Sequence, residues 1–382
     1  MGNFVKNLSD RVCLVASDDM WMEEAALAQL ITTSQLEGMQ RVAGMPDLHP
    51  GRGYPVGAAF FSTQRIYPAL VGNDIGCGMA LWQTDLRASA VRLDKLEKRV
   101  GNIDGAMDDA DAVAKAMQAA GVRASGHERS LGTIGGGNHF AEFQQVDTVH
   151  APQALGELGM DPKCLQLLVH SGSRGLGERI LRQHVDAFGH GGLEEGTPAA
   201  GDYEAQHDEA LRFARCNRRL IARRLLGNVR SEGRCLLDVH HNFVERAVIA
   251  GQAGWLHRKG ATPSDAGPVL IPGSRGDHSY LVRPTGLSHE TLLSLAHGAG
   301  RKWVRSACKD RLFKLMTPTQ MARTALGSRV ICNDRQLIYE EAPQAYKGID
   351  SVVQSLIGAG LIELLARTTP VLTYKTRGEC CV

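Results

Sequence analysis

The chain has 382 residues, of which 43% are hydrophobic and 22% charged, and its formal net charge is +2. This composition excludes an intrinsically disordered chain, and the near-zero net charge means that any contact with a polyanion must come from a local basic patch. The N-terminal residues lack the apolar stretch of a signal peptide and no apolar run approaches the ~20 residues of a membrane span, so the sequence predicts a cytoplasmic protein.

Periodicity and apolar runs predict a mixture of helices and short buried strands. In chain order we predict a helix over 22–33, a strand over 58–61, a helix over 92–100, a strand over 165–169, a helix over 205–226, strands over 236–239 and 269–271, helices over 290–296 and 351–366, and a strand over 371–372. Ser288 is predicted to cap the helix over 290–296. Because these elements do not alternate as regular strand–helix–strand units, the sequence predicts an α+β fold.

A group of potential metal ligands lies at glycine turns and at the ends of predicted strands. Asp74 and Cys77 are three residues apart, His139 follows a run of glycines, and His170 and the pair His240–His241 follow predicted strands. A carboxylate, a thiol and imidazoles suit a transition metal, and ligand preference alone favours zinc. Each residue taken singly is also explained as an ordinary buried or surface side chain. At most one of two neighbouring strand histidines can face an ion.

A second candidate site is the segment from His297 to Arg301, with the sequence HGAGR. Exposed backbone N–H groups and the Arg301 guanidinium would suit a phosphate, and a histidine beside a phosphate can act as a general base or a nucleophile. A nucleophilic histidine also needs a partner on its other ring nitrogen, normally a carboxylate. The alternative is a helix that ends at Gly298, with His297 near its C-terminus.

Eight short motifs occur in the order found in RtcB-type RNA-splicing ligases, and the chain resembles this family over nearly its whole length. The motifs are PDLHPG at 46–51, DIGCG at 74–78, GGGNHFAE at 135–142, VHSGSRG at 169–175, HN at 241–242, IPGS at 271–274, HGAGR at 297–301 and AYK at 345–347. Each motif is weak alone, whereas eight in this order are specific to the family.

The resemblance implies a single compact α+β domain over 1–382 and a 3′-phosphate/5′-hydroxy nucleic acid ligase that needs GTP and two Mn²⁺ ions. In this family Cys77 would bridge the two ions, with the remaining ligands divided as His170 and His241 on one ion and Asp74 and His139 on the other. The histidine matching His297 would attack the α-phosphorus of GTP to give a covalent His–GMP, and Asp47 would orient it. The GMP would then pass to an RNA 3′-phosphate, which a 5′-hydroxyl attacks.

The resemblance also implies a nucleotide site and an RNA site. The guanine-holding positions match Glu142, Ser279, Tyr346 and Lys375; the phosphate-lining positions match Asn138, Ala299 and Gly300; and the candidates for RNA-end contacts are Arg174, Arg301 and Arg305. The expected partners are RNA with broken ends, GTP and an optional accessory activating protein, with no membrane. Two departures are an arginine, Arg275, where the family leads us to expect methionine, and a tail over 376–382 that runs beyond the usual end.

Two other functions stay open from the sequence. One is a metal-dependent phosphoesterase that opens 2′,3′-cyclic phosphate ends without GTP. The other is a non-catalytic RNA-binding protein. A complete ligand set next to a histidine nucleophile argues against the second, because a binding protein has no use for that nucleophile.

Overall fold

The computed structural model describes residues 4–286 and 288–378, so the end of the predicted C-terminal extension lies outside the described residues. The strands are β1 Val5–Ser9, β2 Val12–Val15, β3 Met39–His49, β4 Val56–Ser62, β5 Arg65–Ile66, β6 Gly78–Arg87, β7 Phe140–Val149, β8 Cys164–Ser171, β9 Leu193–Glu194, β10 Gly233–His240, β11 Asn242–Ile249, β12 Gln252–Lys259, β13 Ala261–Pro263, β14 Val269–Pro272, β15 Ser279–Pro284, β16 Ser294–Ala296, β17 Arg329–Cys332 and β18 Ile362–Thr376. The α-helices are α1 Glu24–Thr33, α2 Pro68–Val71, α3 Leu93–Arg99, α4 Ala110–Ala120, α5 Pro152–Leu158, α6 Gly175–Phe188, α7 Pro198–Val229, α8 Arg305–Leu312, α9 Pro318–Met321, α10 Leu337–Glu340 and α11 Ile349–Gly358.

Two large, mostly antiparallel sheets organise the fold. One has six strands in the order β1-β2-β3-β4-β12-β11, and the other has eight, with the path β10-β6-β8-β7-β18-β15-β14 and β17 added in parallel to β18. Two further pairs, β13 with β16 and β5 with β9, complete the strand pairing of the described residues. Helices and largely antiparallel sheets in one chain confirm the predicted α+β class.

Apolar side chains from both sheets meet in a shared core. Met45 and Phe61 of the six-stranded sheet pack in one cluster with Ile271 and Val282 of the eight-stranded sheet and with Leu356 of α11. On another face of the eight-stranded sheet, α7 packs its apolar stripe against β6 and β8. This helix is thereby fixed beneath the edge at which the predicted metal ligands lie. No helix in the described ranges combines the length and apolar character of a bilayer-spanning segment.

All five predicted strands and the first three predicted helices are confirmed. The helix predicted over 290–296 is wrong, and the helix predicted over 351–366 is wrong in its second half. Over 290–296 the chain makes a turn, because Leu292 and Leu293 adopt left-handed φ angles of 54° and 49°, and it then forms β16 against β13. Ser288 accepts a hydrogen bond from the Thr291 N–H within this turn and caps no helix. The helix predicted over 351–366 ends at Gly358, and β18 begins at Ile362 because that segment pairs with β15. Strand pairing therefore overrides helical periodicity at both places.

Candidate active site

Four neighbouring strands bring the predicted metal ligands to one edge of the eight-stranded sheet. Cys77 immediately precedes β6, His139 precedes β7, His170 is the penultimate residue of β8, and His241 follows β10. The spatial order of these strands is β10-β6-β8-β7 and each pair is antiparallel. In an antiparallel sheet the start of one strand lies beside the end of the next. The four residues therefore meet although they are far apart in the sequence.

The donor atoms of this cluster converge on Cys77. Its Sγ lies 3.3 Å from His139 Nε2 and 3.1 Å from His170 Nε2, with all three side chains buried. On one side His139 Nε2 lies 2.7 Å from Asp74 Oδ2, and on the other His170 Nε2 lies 3.3 Å from His241 Nε2. Ligand atoms about 2.0–2.3 Å from one tetrahedral ion lie about 3.3–3.8 Å apart. The two separations of 3.3 Å fall in this range, and those of 3.1 and 2.7 Å are shorter, so a bound ion would move these donors slightly apart.

The electrostatic environment leaves the cluster ready to accept cations. Burial, together with neighbouring histidines, lowers the pKa of His170 and His241 well below the ordinary value, so both rings are neutral. Burial and the nearby Asp74 raise the pKa of the Cys77 thiol well above its ordinary value. Neutral imidazoles carry the lone pairs that a metal needs, and a buried thiolate is stable only beside a cation. The residues therefore fit a metal centre, and their spacing does not choose between zinc and manganese.

His240 and His241 point to opposite sides, as predicted for neighbouring residues at a strand end. His240 Nδ1 lies 2.8 Å from the Gly76 carbonyl oxygen, whereas His241 Nε2 faces His170. His241 is thus the member of the pair that joins the cluster.

A histidine–aspartate pair lies beside this cluster. Asp47 is fully buried, and its Oδ2 accepts hydrogen bonds from His297 Nδ1 at 2.6 Å and from the His297 backbone N–H at 3.1 Å. A carboxylate only accepts, so Nδ1 carries a proton, and in the neutral ring the lone pair is therefore on Nε2. The His297 ring is 4.8 Å from the His241 ring, between centroids. The His297 imidazole is therefore oriented next to the predicted metal ligands.

A glycine makes the close approach of these two segments possible. Gly300 has φ +72°, and a Cβ at this position would lie 2.2 Å from the Asp47 carbonyl oxygen. Any side chain would push the segment from His297 away from β3. The residue before His297 ends β16 rather than a helix, so the alternative that Gly298 ends a helix is excluded.

A cavity extends from His297 to a group of residues at its far wall. Among the predicted nucleotide residues, those that line it are Asn138, Glu142, Ala299, Gly300, Tyr346 and Lys375. Ser279 is not among the lining residues: its hydroxyl accepts a hydrogen bond from Gln144 Nε2 at 2.9 Å, and the same amide donates to Glu142 Oε1 at 2.7 Å. Ser279 therefore supports the Glu142 carboxylate from behind.

Sequence reasoning missed Glu341, which organises the far wall of the cavity. It is 4% exposed and accepts from Tyr346 Oη at 2.5 Å, with Arg301 at 3.2 Å and Arg305 at 3.3 Å. Burial alone would raise the pKa of this carboxyl, but Lys375, Arg305 and Arg301 outweigh burial and lower the pKa to about 2. His49 was also missed as a lining residue, although the motif at 46–51 contains it. Glu341 lies outside every motif, so no local signal identified it.

The three arginines predicted to contact RNA lie in different environments. All three guanidinium nitrogens of Arg301 have partners, which include Glu341, Tyr346 and the backbone carbonyls of Trp303 and Glu340. Arg305 is 39% exposed in its side chain and faces both the cavity and the neighbouring open cleft. The Nε of Arg174 lies 3.4 Å from Thr133 Oγ1, and the Arg174 charge helps to lower the pKa of Asp74.

Arg218 of α7 fixes the strand edge from below, and sequence reasoning did not single it out for this role. It is fully buried, and its guanidinium donates to the carbonyl oxygens of Gly76 and Ser171, both at 2.8 Å, and to Asp238. The change Arg218→Met leaves these acceptors unpaired, so we expect the free energy of unfolding to fall by about 3 kcal/mol. Urea unfolding followed by circular dichroism measures this, with the exposed neighbour Arg219→Met as a control. Equal losses in both variants would contradict the supporting role.

The buried cysteine–histidine cluster beside an oriented histidine and a lined cavity defines the class of site, a candidate metal centre next to a candidate nucleophile. Comparisons with known proteins identify the family. A family model described as tRNA-splicing ligase RtcB matches residues 29–114 and 102–376. The RNA-splicing ligase RtcB2 of Escherichia coli is 57% identical over 99% of both chains. The tRNA-splicing ligase RtcB of Archaeoglobus fulgidus is 29% identical over 92% of this chain and 91% of its own.

The chain therefore belongs to the RtcB family of RNA-splicing ligases. The family's RtcB1 member in Escherichia coli is also similar, at 28% identity over 93% of this chain and 95% of its own.

Proposed function

We propose that the protein is a GTP- and Mn²⁺-dependent ligase that joins RNA 3′-phosphate ends, or 2′,3′-cyclic phosphate ends once opened, to 5′-hydroxyl ends. The observation that carries the proposal is the geometry of His297, whose Nδ1 is held by buried Asp47 while its ring lies 4.8 Å from that of the cluster residue His241. A lone phosphoesterase centre does not need a nucleophile oriented in this way. Membership of the RtcB family supports the same reaction.

The proposed reaction has three steps, and in each step one bond to phosphorus forms while another breaks. His297 Nε2 attacks the α-phosphorus of GTP, so a P–N bond forms and pyrophosphate leaves. An oxygen of the RNA 3′-phosphate then attacks the same phosphorus, breaks the P–N bond and takes the GMP. Finally the 5′-hydroxyl attacks the RNA 3′-phosphorus, forms the new phosphodiester and releases GMP. Asp47 holds the imidazole in the required tautomer and balances its positive charge in the first two steps.

The cluster residues would hold the metal ions that this reaction needs. Cys77 lies between the pair Asp74 and His139 and the pair His170 and His241, which supports two ions sharing the thiolate. Bound ions would withdraw charge from the reacting phosphate and from the leaving pyrophosphate.

The open cleft next to the cavity offers a place for the RNA ends. It reaches Cys77, His241 and His297, and its lining includes the basic residues Arg52, Lys259, Lys302 and Arg305. Cations along a groove attract a phosphate backbone without reading its sequence. Because Arg301 is fully engaged by Glu341 and Tyr346, Arg305 is the better candidate for a direct phosphate contact.

A ligation assay tests the proposal. Purified protein is incubated with Mn²⁺, GTP and two RNA strands, one ending in a 3′-phosphate and the other beginning with a 5′-hydroxyl. We expect a joined product and one GMP released per joint, and no product when GTP is omitted. Joining that proceeds equally without GTP, or the opening of cyclic phosphate ends as the sole activity, would overturn the ligase proposal in favour of the phosphoesterase.

Glu142 gives the proposed nucleotide site a pH dependence. Its burial raises the pKa of this carboxyl, despite hydrogen bonds from Thr373 and Gln144 and the charge of Lys375. Only the ionised carboxylate can accept from both guanine N1–H and the 2-amino group, so GTP affinity falls as the pH drops through this raised pKa. Calorimetric titration of GTP between pH 5 and 8 measures the effect, and in Glu142→Gln this dependence is lost. An unchanged pH profile in that variant would exclude Glu142 as the group.

A further inference from the structure

Arg275 is a buried arginine whose guanidinium has unpaired nitrogens in the wall of the cavity. It lies in the loop between β14 and β15 and is 8% exposed, and it lines the same cavity as His297 and Glu142. Its Nε and Nη1 are buried without a hydrogen-bond partner among the described residues. This is the position at which the family resemblance leads us to expect methionine.

Such an arrangement is costly unless a ligand completes it. An arginine stays protonated in proteins, and each buried donor without a partner loses the hydrogen bonds that water would supply. Burial lowers the pKa of Arg275, and the nearby groups Cys332, Glu341 and Tyr346 act in the opposite direction. The Glu341 carboxylate does not serve as a direct partner, since its contacts are with Tyr346, Lys375 and the two arginines described above.

The surroundings of Arg275 indicate which part of a nucleotide it meets. Its charge acts on Lys375 and Cys332, and the group next to it includes Tyr346. Tyr346 and Lys375 are two of the residues matched to guanine binding, and both line the cavity together with Arg275 and Glu142. Arg275 therefore lies among the residues matched to the base. Guanine presents two adjacent acceptors, O6 and N7, and arginine binds them in a bidentate manner through two parallel N–H groups. In the Arg275 guanidinium, unpartnered Nη1 forms such a pair with Nη2.

We propose that Arg275 is a specificity-determining residue that donates hydrogen bonds to O6 and N7 of guanine, while Glu142 accepts from N1–H and the 2-amino group. This inference rests on the proposed GTP dependence. Adenine carries an amino group where guanine carries O6, so Arg275 would face a donor and discriminate against ATP. Together the two side chains would read both hydrogen-bonding edges of the base.

The test compares nucleotides that lack one contact at a time. Formation of the covalent protein–nucleotide adduct is measured for the wild type and Arg275→Met with three nucleotides. These are GTP, 7-deaza-GTP, which lacks the N7 acceptor, and ITP, which lacks the 2-amino group. We expect Arg275→Met to lower the efficiency with GTP by about 5- to 150-fold and to remove the preference for GTP over 7-deaza-GTP. The preference for GTP over ITP depends on Glu142 and should persist. Arg275→Lys, which keeps the charge but not the fork, should also lose the preference over 7-deaza-GTP.

Equilibrium binding provides a second measurement that does not depend on chemistry. In a His297→Ala background, calorimetric affinities for GTP and 7-deaza-GTP should differ, and adding Arg275→Met should remove the difference. If the preference for GTP over 7-deaza-GTP survives both Arg275 substitutions, the inference is overturned. If Arg275→Met does not fold, survival of this preference in Arg275→Lys alone overturns it. If instead the wild type forms no adduct with GTP at all, the proposed function fails and not the assignment of Arg275 alone.

Discussion

Replacing His297 with alanine is expected to abolish formation of the covalent protein–GMP adduct and to reduce RNA joining below about one-thousandth of the wild-type rate. The reason is that Nε2 of this ring is the nitrogen left free by the Asp47 hydrogen bond, and that the ring lies next to the cluster of predicted metal ligands. Incubation with GTP labelled at the α-phosphate, followed by denaturing electrophoresis, measures the adduct. A P–N bond to histidine is labile in acid and stable in base, which distinguishes it from a phosphate ester.

The matched control for this prediction is His289→Ala, because His289 is exposed in the turn before β16 and belongs neither to the metal-ligand cluster nor to the cavity lining. It should form the adduct at the wild-type rate. An adduct of undiminished yield in His297→Ala would remove the nucleophile from the proposal. If that variant still opened 2′,3′-cyclic phosphate ends but could not join RNA, metal-dependent phosphoester chemistry would be separated from the GTP-dependent step.

Changing Cys77 to serine is expected to weaken metal binding by at least about 100-fold and to remove ligation with it. The thiol is the shared member of the cluster, with Sγ in contact with both His139 and His170. Titration with Co²⁺ gives a direct signal, because a sulfur-to-cobalt charge-transfer band should appear in the wild type and be missing in the variant. The exposed Cys235→Ser is the control and should leave the band unchanged.

The Cys77→Ser variant is also expected to change the number of protons released when a metal binds. Since burial raises the pKa of the Cys77 thiol well above the ordinary value, the sulfur is protonated before a cation binds. Binding must expel that proton, so metal affinity rises with pH in the wild type. Calorimetry in buffers with different ionisation enthalpies counts the protons, and Cys77→Ser should release about one fewer per site. Equal proton release in both proteins would mean that the thiolate is not a ligand.

The sequence identified the cluster because each ligand follows or precedes a recognisable strand. A run such as 165–169 predicts both the strand and the position of His170 at its end, and the glycine-rich segments mark the turns that carry Cys77 and His139. Sequence alone could not reveal the supporting partners. Arg218 reaches carbonyl oxygens 142 and 47 residues away, and Glu341 lies outside every motif. The helix predicted over 290–296 was wrong because its apolar spacing also fits a turn followed by a short paired strand. A single domain over 1–382 stays a prediction.

The antiparallel ladder β10-β6-β8-β7 determines where loops of this chain can change in length without moving the predicted metal ligands. All four ligands of that ladder lie at one edge, so the connection from 150 to 163 and the turn before β10 lie at the opposite edge. Insertions at the opposite edge do not alter strand register, whereas one extra residue within β8 would turn His170 to the other face. Changes in loop length at the opposite edge would thus leave the predicted metal ligands in place.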